Sequence, residues 1–227
     1  MTLARGGSKS VPKKNIKIIA GKPLIAHTIE QVISSKYIDD YIVSTDDKEI
    51  AEISRKYGAK VPFLRPSRLA TDKATSASAL LHSLNFMEKD TSYDYVVEIM
   101  CTNPLKNTED IDNCISILDK KSADNVIAVN RVLDQHPARI KKIINGRIVD
   151  FSMKEPLEAR RQDLKPKAFI RSGSIYAMKT NFLRKTRARY GGKNSYPYIL
   201  PEERVINIDE KNDFKLAEII LEDLKKR

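Results

Sequence analysis

The most constraining feature of this sequence is a repeated alternation of short β-branched runs with segments whose apolar residues have helical spacing. Strand-like runs at 41–45 and 95–100 alternate with helical patterns at 24–33, 49–57 and 76–87. Such an alternation is typical of a mostly parallel sheet whose faces are covered by helices. The first part of the chain is therefore predicted to form an α/β core.

A different pattern follows near residue 131. The runs 140–144 and 147–151 flank the pair Asn145-Gly146. Because both residues of this pair tolerate positive φ angles, Asn-Gly favours the tight type I′ turn of a β-hairpin. We interpret residues 131–172 as an arm inserted between elements of the sheet.

The arm divides the predicted core into two parts, 1–130 before it and 173–227 after it. In the second part, the runs 174–178 and 205–208 are predicted to be strands of the main sheet. Residues 211–226 are predicted to form the last helix, because apolar residues recur there at helical spacing. The side chains expected to face the core are Phe214, Ala217, Leu221 and Leu224.

Composition limits the classes of function. The 227 residues carry a formal net charge of +11, but the basic residues are dispersed and tryptophan is absent. Nucleic-acid binding is therefore not expected, and anionic small substrates explain the cations better. No apolar run approaches the roughly 20 residues that span a bilayer, and no secretory signal is visible, so no membrane partner is expected. Two cysteines, Cys101 and Cys114, favour a reduced, cytoplasmic setting without disulfides or a zinc site.

The strongest functional signal lies in residues 4–15. Adjacent glycines, Gly6 and Gly7, stand among cations that include Arg5 and Lys14. Glycine lets the backbone turn its N–H groups toward a ligand, and flanking cations suit the oxygens of a nucleoside triphosphate. The spacing is neither that of a P-loop nor that of a dinucleotide-binding turn. Few residues precede the loop, so the first strand is predicted to be short.

Several further motifs occur in a fixed order along nearly the whole chain. Together they resemble the acylneuraminate cytidylyltransferases, the CMP-sialic acid synthetase family. The matching segments are 3–9 with 14–15, 21–25, 43–47, 65–70, 136–137, 161–164 and 173–176. The related 3-deoxy-manno-octulosonate enzymes share the opening but lack the Arg-Arg-Gln-Asp-Leu segment, so the resemblance to them is weaker.

The resemblance implies a Rossmann-like nucleotidyltransferase core with an inserted dimerisation arm. The implied activity moves CMP from CTP to the anomeric hydroxyl of a nine-carbon 2-keto sugar acid, such as N-acylneuraminate or legionaminate. Pyrophosphate is released, Mg²⁺ is the implied cofactor, and a homodimer is the implied assembly. The alternatives are a pseudaminate or 3-deoxy-manno-octulosonate acceptor, or a non-catalytic nucleotide-binding relative.

The resemblance, together with the loop chemistry, points to residues for the nucleotide. Arg5 and Lys14 are expected to contact the triphosphate and stabilise charge on the leaving phosphates. The expected CTP-binding set is Arg5, Gly6, Gly7, Ser8, Lys14, Asn15, Arg65 and Ser76. By the resemblance, Asn15 and Arg65 would read the cytosine. For Arg65 the alternative is a structural role at a strand end, and for Ser76 it is a helix N-cap.

Asp209 is the leading metal ligand and the third expected catalytic residue. It follows a predicted strand directly before the last helix, where a carboxylate can meet Mg²⁺ beside a phosphate. The family usually has Asp-x-Asp at this point, whereas this chain has Asn207 as the second expected ligand. Asp46 or water would complete the shell. The alternative for Asp209 is an N-cap of the last helix.

The expected sugar-binding residues also follow from the resemblance; they are Arg139, Arg161, Gln162 and Tyr176. A guanidinium holds a carboxylate through two parallel hydrogen bonds, which suits a sugar acid. His136 is expected to be structural rather than a base. Many sialate enzymes have Gln-Pro-Thr-Ser-Pro-Leu-Arg where this chain runs from Met100 to Lys106. Because Met100 makes no useful hydrogen bond to a sugar, a diacetamido acceptor such as legionaminate is favoured.

Overall fold

The computed structural model describes residues 1–8, 10–89 and 91–225. Lys9 of the predicted phosphate loop and Lys226 of the predicted last helix lie outside these residues. The helices are α1 (Leu24–Ile33), α2 (Lys48–Lys56), α3 (Ser76–Met87), α4 (Thr108–Lys120), α5 (Thr180–Thr186) and α6 (Lys211–Lys225). The strands are β1 (Thr2–Leu3), β2 (Ile18–Ile19), β3 (Lys22–Pro23), β4 (Val43–Ser44), β5 (Tyr95–Ile99), β6 (Asn125–Val132), β7 (Lys141–Ile144), β8 (Arg147–Asp150), β9 (Ala168–Lys179) and β10 (Ser195–Ile199).

One sheet organises the molecule. Four of its strands lie in the order β10-β6-β9-β5, and β4 pairs with β1 in parallel. The β1 strand lies beside β5, where the Ile99 amide donates to the Met1 carbonyl at 3.0 Å. The β10 and β6 strands are parallel, whereas β9 is antiparallel to both of its neighbours. The predicted α/β core is confirmed, with parallel pairs in its sheet; β9 makes the sheet mixed, and the first strand is two residues long.

The helices begin and end where the sequence chemistry places their boundaries. Pro23 precedes α1, and Gly58 follows α2 with a φ of +95° that favours glycine. The side chain of Thr75 caps α3 by accepting from the Ser78 amide. Asn107 caps α4 in a reciprocal arrangement with Asp110. Thr75 thus takes the capping role that was the alternative for Ser76.

Alternate side chains of β5 face opposite layers of the fold. Val97 and Ile99 pack with α1, α2 and α4 in one core, whereas Val96 packs with α3 and α5 in a second core. A third cluster joins α6 to Leu105 and to the extended segment 206–208. The sheet is therefore covered by helices on both faces, and its strand ends are left to form a site.

Two expectations about the last part of the chain are wrong in detail. Residues 205–208 form no regular strand; Ile206 and Ile208 are buried against α6 instead. The strand beside β6 is β10, which carries Pro197. Proline is tolerated there because β10 pairs on one side only, so the missing N–H disrupts no second ladder. Leu224 is 44% exposed rather than packed into the core.

The predicted hairpin is confirmed as β7 and β8. Asn145 and Gly146 have φ angles of 52° and 75°, the positive values that a type I′ turn requires. All eight residues of the two strands are exposed. The following strand, β9, runs without interruption from the arm into the main sheet. Within the described chain, no helix is long and apolar enough to cross a membrane.

Candidate active site at the strand ends

The glycine loop follows β1 and is fixed on both sides by side chains from elsewhere in the chain. The Gly6 amide donates to Asp46 Oδ1 at 3.1 Å, and the Asn15 side chain donates to the Arg5 carbonyl at 3.0 Å. A Cβ on Gly6 would lie only 2.7 Å from Asp47 Oδ2. Glycine is therefore required at position 6 by close packing against the loop that follows β4.

The loop leaves only part of its predicted donor set available. The Gly6 amide is used by Asp46, and the Ser8 amide donates back to the Gly6 carbonyl at 3.0 Å. Among the described residues, the Gly7 amide has no hydrogen-bond partner, and a Cβ at Gly7 would have open space around it. The accessible donors of the loop are therefore the Gly7 amide, the Ser8 hydroxyl and the Arg5 guanidinium. The last of these contacts Asp72 Oδ1 at 2.7 Å.

Arg65 is buried beside the loop with unused hydrogen-bonding capacity. Its residue is 6% exposed, and its Nε and Nη2 atoms have no hydrogen-bond partner among the described residues. Asp46 Oδ1 lies 3.8 Å from Nη2, too far for a hydrogen bond. Burial lowers the pKa of Arg65, with Asp46 opposing and Arg5 adding to that effect. A buried guanidinium with unpaired donors is unfavourable, and the acceptor atoms of a ligand or of water would satisfy it.

Asn15 and Ser76 differ in how freely they could meet a nucleotide. Asn15 is buried, and its amide both donates to Arg5 and accepts from Cys101 Sγ at 3.1 Å. In this arrangement Asn15 holds the loop, and one N–H of its amide is left for a base. Ser76 is the first residue of α3 and is partly exposed.

Lys14 and Asp209, both expected to be catalytic, are brought together on the other side of the loop. Lys14 Nζ donates to the Ile208 carbonyl at 2.7 Å and lies 3.4 Å from Asp209 Oδ1. The Asn207 amide donates to the other carboxylate oxygen of Asp209 at 2.5 Å. The N-terminus of α6 is instead capped by Asp213, which accepts from the amides of Asp209 and Glu210. The alternative role of Asp209 as the N-cap is therefore not the one observed.

The donor set at Asp209 fits a divalent cation that binds together with a nucleotide. No cluster of three or more His, Cys, Asp or Glu side chains with metal-binding geometry occurs in the described parts of the chain. Asp209 supplies one exposed carboxylate, whereas Asn207 turns its amide nitrogen toward that carboxylate, so its amide oxygen would face a cation there only after the amide rotates. Mg²⁺ commonly uses one or two carboxylates and takes its other ligands from substrate phosphates and water. The Asp46 carboxylate, by contrast, is engaged by Gly6.

On the side of β5 and β9, Tyr176 belongs to a charged cluster that sequence reasoning missed. Arg189 stacks over the Tyr176 ring at 4.3 Å and donates to Glu98 Oε2 at 2.6 Å. Glu98 lies in β5 and is 1% exposed. Desolvation raises the pKa of Glu98, and Arg189 opposes that rise. The signal in the sequence was a single carboxylate within the apolar run of β5, which demands a buried cation.

A second arginine lies next to this cluster and is exposed. The Arg171 guanidinium stacks over Tyr190 at 4.3 Å, and the rings of Tyr190 and Tyr176 are 6.0 Å apart. Arg171 has no carboxylate partner among the described residues. The sulfur of Met100 lies 4.0 Å from Arg189 Nη1. This end of the site therefore presents guanidinium groups beside Met100, not a wholly apolar surface.

The other predicted sugar ligands lie on the arm. Arg139 and Arg161 both donate to Asp134, at 2.7 and 2.8 Å, and together they lower the pKa of that carboxyl. Gln162 is exposed. His136 is buried, donates from Nε2 to the Pro166 carbonyl and accepts from the Ala138 amide, which fits a structural role. In the described part of the chain, no hydrogen bond, ion pair or ring contact joins these arm residues to Tyr176.

Comparison with known proteins agrees with this geometry. The cytidylyltransferase family profile matches residues 1–191. Pseudaminic acid cytidylyltransferase of Campylobacter jejuni is 31% identical over 226 residues, which cover 96% of this chain and 93% of that protein. CMP-N,N'-diacetyllegionaminic acid synthase of Legionella pneumophila is 31% identical over 221 residues, with 96% and 94% covered.

A solved structure confirms the fold. CMP:2-keto-3-deoxy-manno-octonic acid synthetase, determined in complex with CTP, superposes with a TM-score of 0.68. The superposition covers 100% of this chain and 98% of that one at 17% sequence identity. At this identity the likeness establishes the fold, a Rossmann-like nucleotidyltransferase core, as the motifs implied.

Proposed function

The chain belongs to the cytidylyltransferase family, and from this premise we propose that it transfers CMP from CTP to a nine-carbon 2-keto sugar acid. It is a nucleotidyltransferase. The bond that forms joins the anomeric hydroxyl oxygen of the sugar to the α-phosphorus of CTP. The bond that breaks is the bridge between the α- and β-phosphates, so pyrophosphate leaves and the hydroxyl proton passes to solvent.

The observation that carries the proposal is the orphaned guanidinium of Arg65. A buried arginine with two unused nitrogens is unfavourable unless a ligand accepts its hydrogen bonds. The O2 and N3 atoms of cytosine are such acceptors, and the carbonyl and ring nitrogen can be met by one guanidinium. Arg65 lies 3.8 Å from the Asp46 carboxylate, which accepts a hydrogen bond from the Gly6 amide of the glycine loop. A nucleotide whose base is held by Arg65 would therefore extend its phosphates toward that loop.

The triphosphate would meet donors from two directions. Arg5, the Gly7 amide and the Ser8 hydroxyl face it from the loop, and Lys14 faces it from the following turn. Phosphoryl transfer depends mainly on positioning and on neutralising charge in the transition state, which cations and amides supply. Ser76 stands at the start of α3 and can donate its hydroxyl to the nucleotide.

Asp209 and Asn207 are the residues that would hold Mg²⁺. Held by these residues, a divalent cation would supply charge neutralisation for the phosphates of CTP. Lys14 lies against the same carboxylate, so it fixes the orientation of Asp209 and shares the negative charge of the nucleotide.

For the acceptor we propose a diacetamido nonulosonate, of the pseudaminate or N,N'-diacetyllegionaminate type. The two relatives described above are named for these sugars. Arg171 supplies an exposed guanidinium for the carboxylate of the sugar acid, and the exposed ring of Tyr190 supplies apolar contact surface. Tyr176 is only 3% exposed and lies behind Tyr190, so it supports this surface rather than forming it. Met100 replaces a hydrogen-bonding glutamine, which suits an acceptor with an apolar group at that point.

We further propose a homodimer formed through the arm. Large apolar side chains are exposed along it: Ile140, Ile143, Ile144, Ile148, Phe151, Leu157, Phe169 and Ile170. An isolated two-stranded hairpin is only marginally stable, and a large exposed apolar patch typically marks a surface that binds another protein. A second copy that covers it would bring Arg139, Arg161 and Gln162 toward the sugar end of its partner's site. A cytoplasmic location fits two unpaired cysteines and a CTP substrate.

The proposal is tested by pyrophosphate release with purified protein and Mg²⁺. The acceptor panel is pseudaminate, N,N'-diacetyllegionaminate, N-acetylneuraminate and 3-deoxy-manno-octulosonate, each with CTP and, as a control, with UTP. We expect release with CTP and a diacetamido nonulosonate that exceeds release with the other pairs by at least about tenfold. CTP binding without release for any acceptor would instead favour a non-catalytic relative, and equal release with UTP would contradict the role of Arg65.

A further inference from the structure

Lys106 is a buried cation that the proposed reaction does not use. Its residue is 1% exposed, and it lies between the end of β5 and the start of α4. Its ammonium donates to the Thr28 hydroxyl at 2.7 Å, to the Met100 carbonyl at 2.7 Å and to the Asn103 carbonyl at 2.6 Å. The three donors of an ammonium are thus matched by three oxygen acceptors.

Two of those acceptors belong to the segment 100–105, and the third belongs to α1. Lys106 therefore ties this segment to a helix of the core. Asn103 strengthens the same turn, since its side-chain oxygen accepts from the amides of Leu105 and Lys106. Without the ammonium, two carbonyls at the end of β5 would be left buried and unpaired, which is strongly unfavourable.

The segment 100–105 contacts each functional part of the proposed site. Its Cys101 thiol donates to Asn15, which in turn holds the glycine loop through the Arg5 carbonyl. Its Thr102 carbonyl accepts from the Ile208 amide at 2.8 Å, next to Asp209. Its Met100 amide donates to Ser174 on β9, the strand of Tyr176. The segments proposed to bind the triphosphate, the metal and the sugar are therefore each linked to residues 100–105 by hydrogen bonds.

We propose that Lys106 is a positioning residue whose buried positive charge holds the segment 100–105 and, through it, sets the geometry of the CTP site. The proposal rests on the proposed function for its catalytic readout. It assigns Lys106 no contact with substrate.

The charge of Lys106 is sensitive to pH near neutrality. Burial lowers the pKa of Lys106 to about 7, and the titratable groups that act on it are Cys101 and Asp110. The pKa of Cys101 is raised by burial, and Asp110 is paired with Arg204. When Lys106 loses its proton, a neutral amine has two N–H groups for three acceptors. The segment is therefore held less firmly as the pH rises through 7.

Lys106→Met and Lys106→Arg test the proposal. Methionine fills the space without the charge, and arginine keeps the charge at every accessible pH. Lys179→Met is the matched control, because Lys179 also donates to a backbone carbonyl, that of Ser122, at the opposite end of the sheet. The readouts are kcat/KM for CTP from pH 6 to 9 and hydrogen exchange of residues 100–106.

At pH 6.5 we expect Lys106→Met to lower kcat/KM by about tenfold or more, with exchange of 100–106 at least about tenfold faster. The advantage of wild type over Lys106→Met should shrink as the pH rises, while that of Lys106→Arg over Lys106→Met should not. Lys179→Met should stay within about twofold of wild type. If Lys106→Met does not fold, the activity of Lys106→Arg relative to wild type should rise with pH.

Two results would overturn the proposal. One is activity of Lys106→Met within twofold of wild type at pH 6.5 with unchanged exchange. The other is an activity ratio between wild type and either variant that stays constant from pH 6 to 9. A wild type without turnover whose segment 100–106 exchanges faster in Lys106→Met would contradict the proposed function and leave the positioning role standing.

Discussion

The ammonium of Lys14 lies 3.4 Å from a carboxylate oxygen of Asp209, although 195 positions separate the two residues in the chain. The contact joins the turn after the glycine loop to the segment before α6. Ser10 adds a second link between the same regions, since its hydroxyl donates to the Asp209 carbonyl at 2.5 Å. The residues proposed for phosphate binding and for metal binding are thus in direct contact.

Asp209→Asn should separate the metal site from the rest of the nucleotide site. We expect kcat/KM for CTP to fall about 10²-fold or more, because the only carboxylate proposed to hold Mg²⁺ is lost. A higher Mg²⁺ concentration should be needed for half-maximal rate. Glu210→Gln is the control, since it removes an adjacent exposed carboxylate. Equal Mg²⁺ dependence in both variants would contradict the assignment of Asp209.

Arg65→Met should weaken CTP binding without lowering the thermal stability of the ligand-free protein. CTP affinity, measured by titration calorimetry, should fall about 10- to 100-fold, because charged hydrogen bonds contribute about 1.5–3 kcal/mol. The Tm without ligand should stay equal or rise, since a buried guanidinium with unpaired nitrogens is removed. The exposed Arg68→Met is the matched control and should change neither. A large drop in Tm with intact CTP affinity would show that Arg65 is structural.

Helices and turns could be predicted from the sequence where a single local pattern determines them. The α3 helix lies at the predicted residues, and Asn145-Gly146 fixed the hairpin turn. The β10 strand was missed because Pro197 argues against a strand until its edge position is known. Residues 205–208 are rich in β-branched side chains like a strand, but Ile206 and Ile208 pack on α6, a tertiary contact that the local sequence does not reveal.

The site could be predicted in part for a similar reason. Gly6 and Lys14 lie in one short motif, so local chemistry identified them. Glu98 and Arg189 are 91 positions apart and meet only after β5 and the segment after α5 are packed together. The sequence gives no sign that the Gly6 amide is already bonded to Asp46, because that contact depends on how two loops dock.

Arg189→Met should destabilise the protein because it leaves Glu98 buried without its cation. The free energy of unfolding should fall by about 3–5 kcal/mol. Arg184→Met, which breaks the surface pair with Glu88, should change it by about 1 kcal/mol or less. Denaturant titrations of the three proteins measure both effects. Equal loss in the two variants would contradict the buried pair.

The same variant should show a pH dependence of defined sign. Burial raises the pKa of Glu98 above its ordinary value of 4.5. A carboxyl whose folded pKa is raised loses stability as the pH rises above the unfolded value, and removal of Arg189 widens that range. The difference in unfolding free energy between wild type and Arg189→Met should therefore be larger at pH 8 than at pH 5. A difference that is constant or reversed would show that Glu98 is not the group responsible.

The arm is predicted to hold two copies together. Ile143 and Ile148 are 76% and 74% exposed and face each other across β7 and β8. The double variant Ile143→Asp/Ile148→Asp should be monomeric by light scattering, because charges are excluded from the centre of an apolar interface. The matched control, Lys142→Asp, changes an exposed neighbour of the same strand and should remain a dimer. A wild-type monomer at micromolar concentration would contradict the prediction.

The central claim is most directly tested by a ³¹P NMR time course of the wild-type protein with CTP, Mg²⁺ and a diacetamido nonulosonate. The account predicts that the three phosphate signals of CTP are replaced by equal amounts of pyrophosphate and one phosphodiester, the CMP-linked sugar. CTP signals that persist unchanged with both pseudaminate and N,N'-diacetyllegionaminate, or that decay to CMP without a phosphodiester, would contradict it.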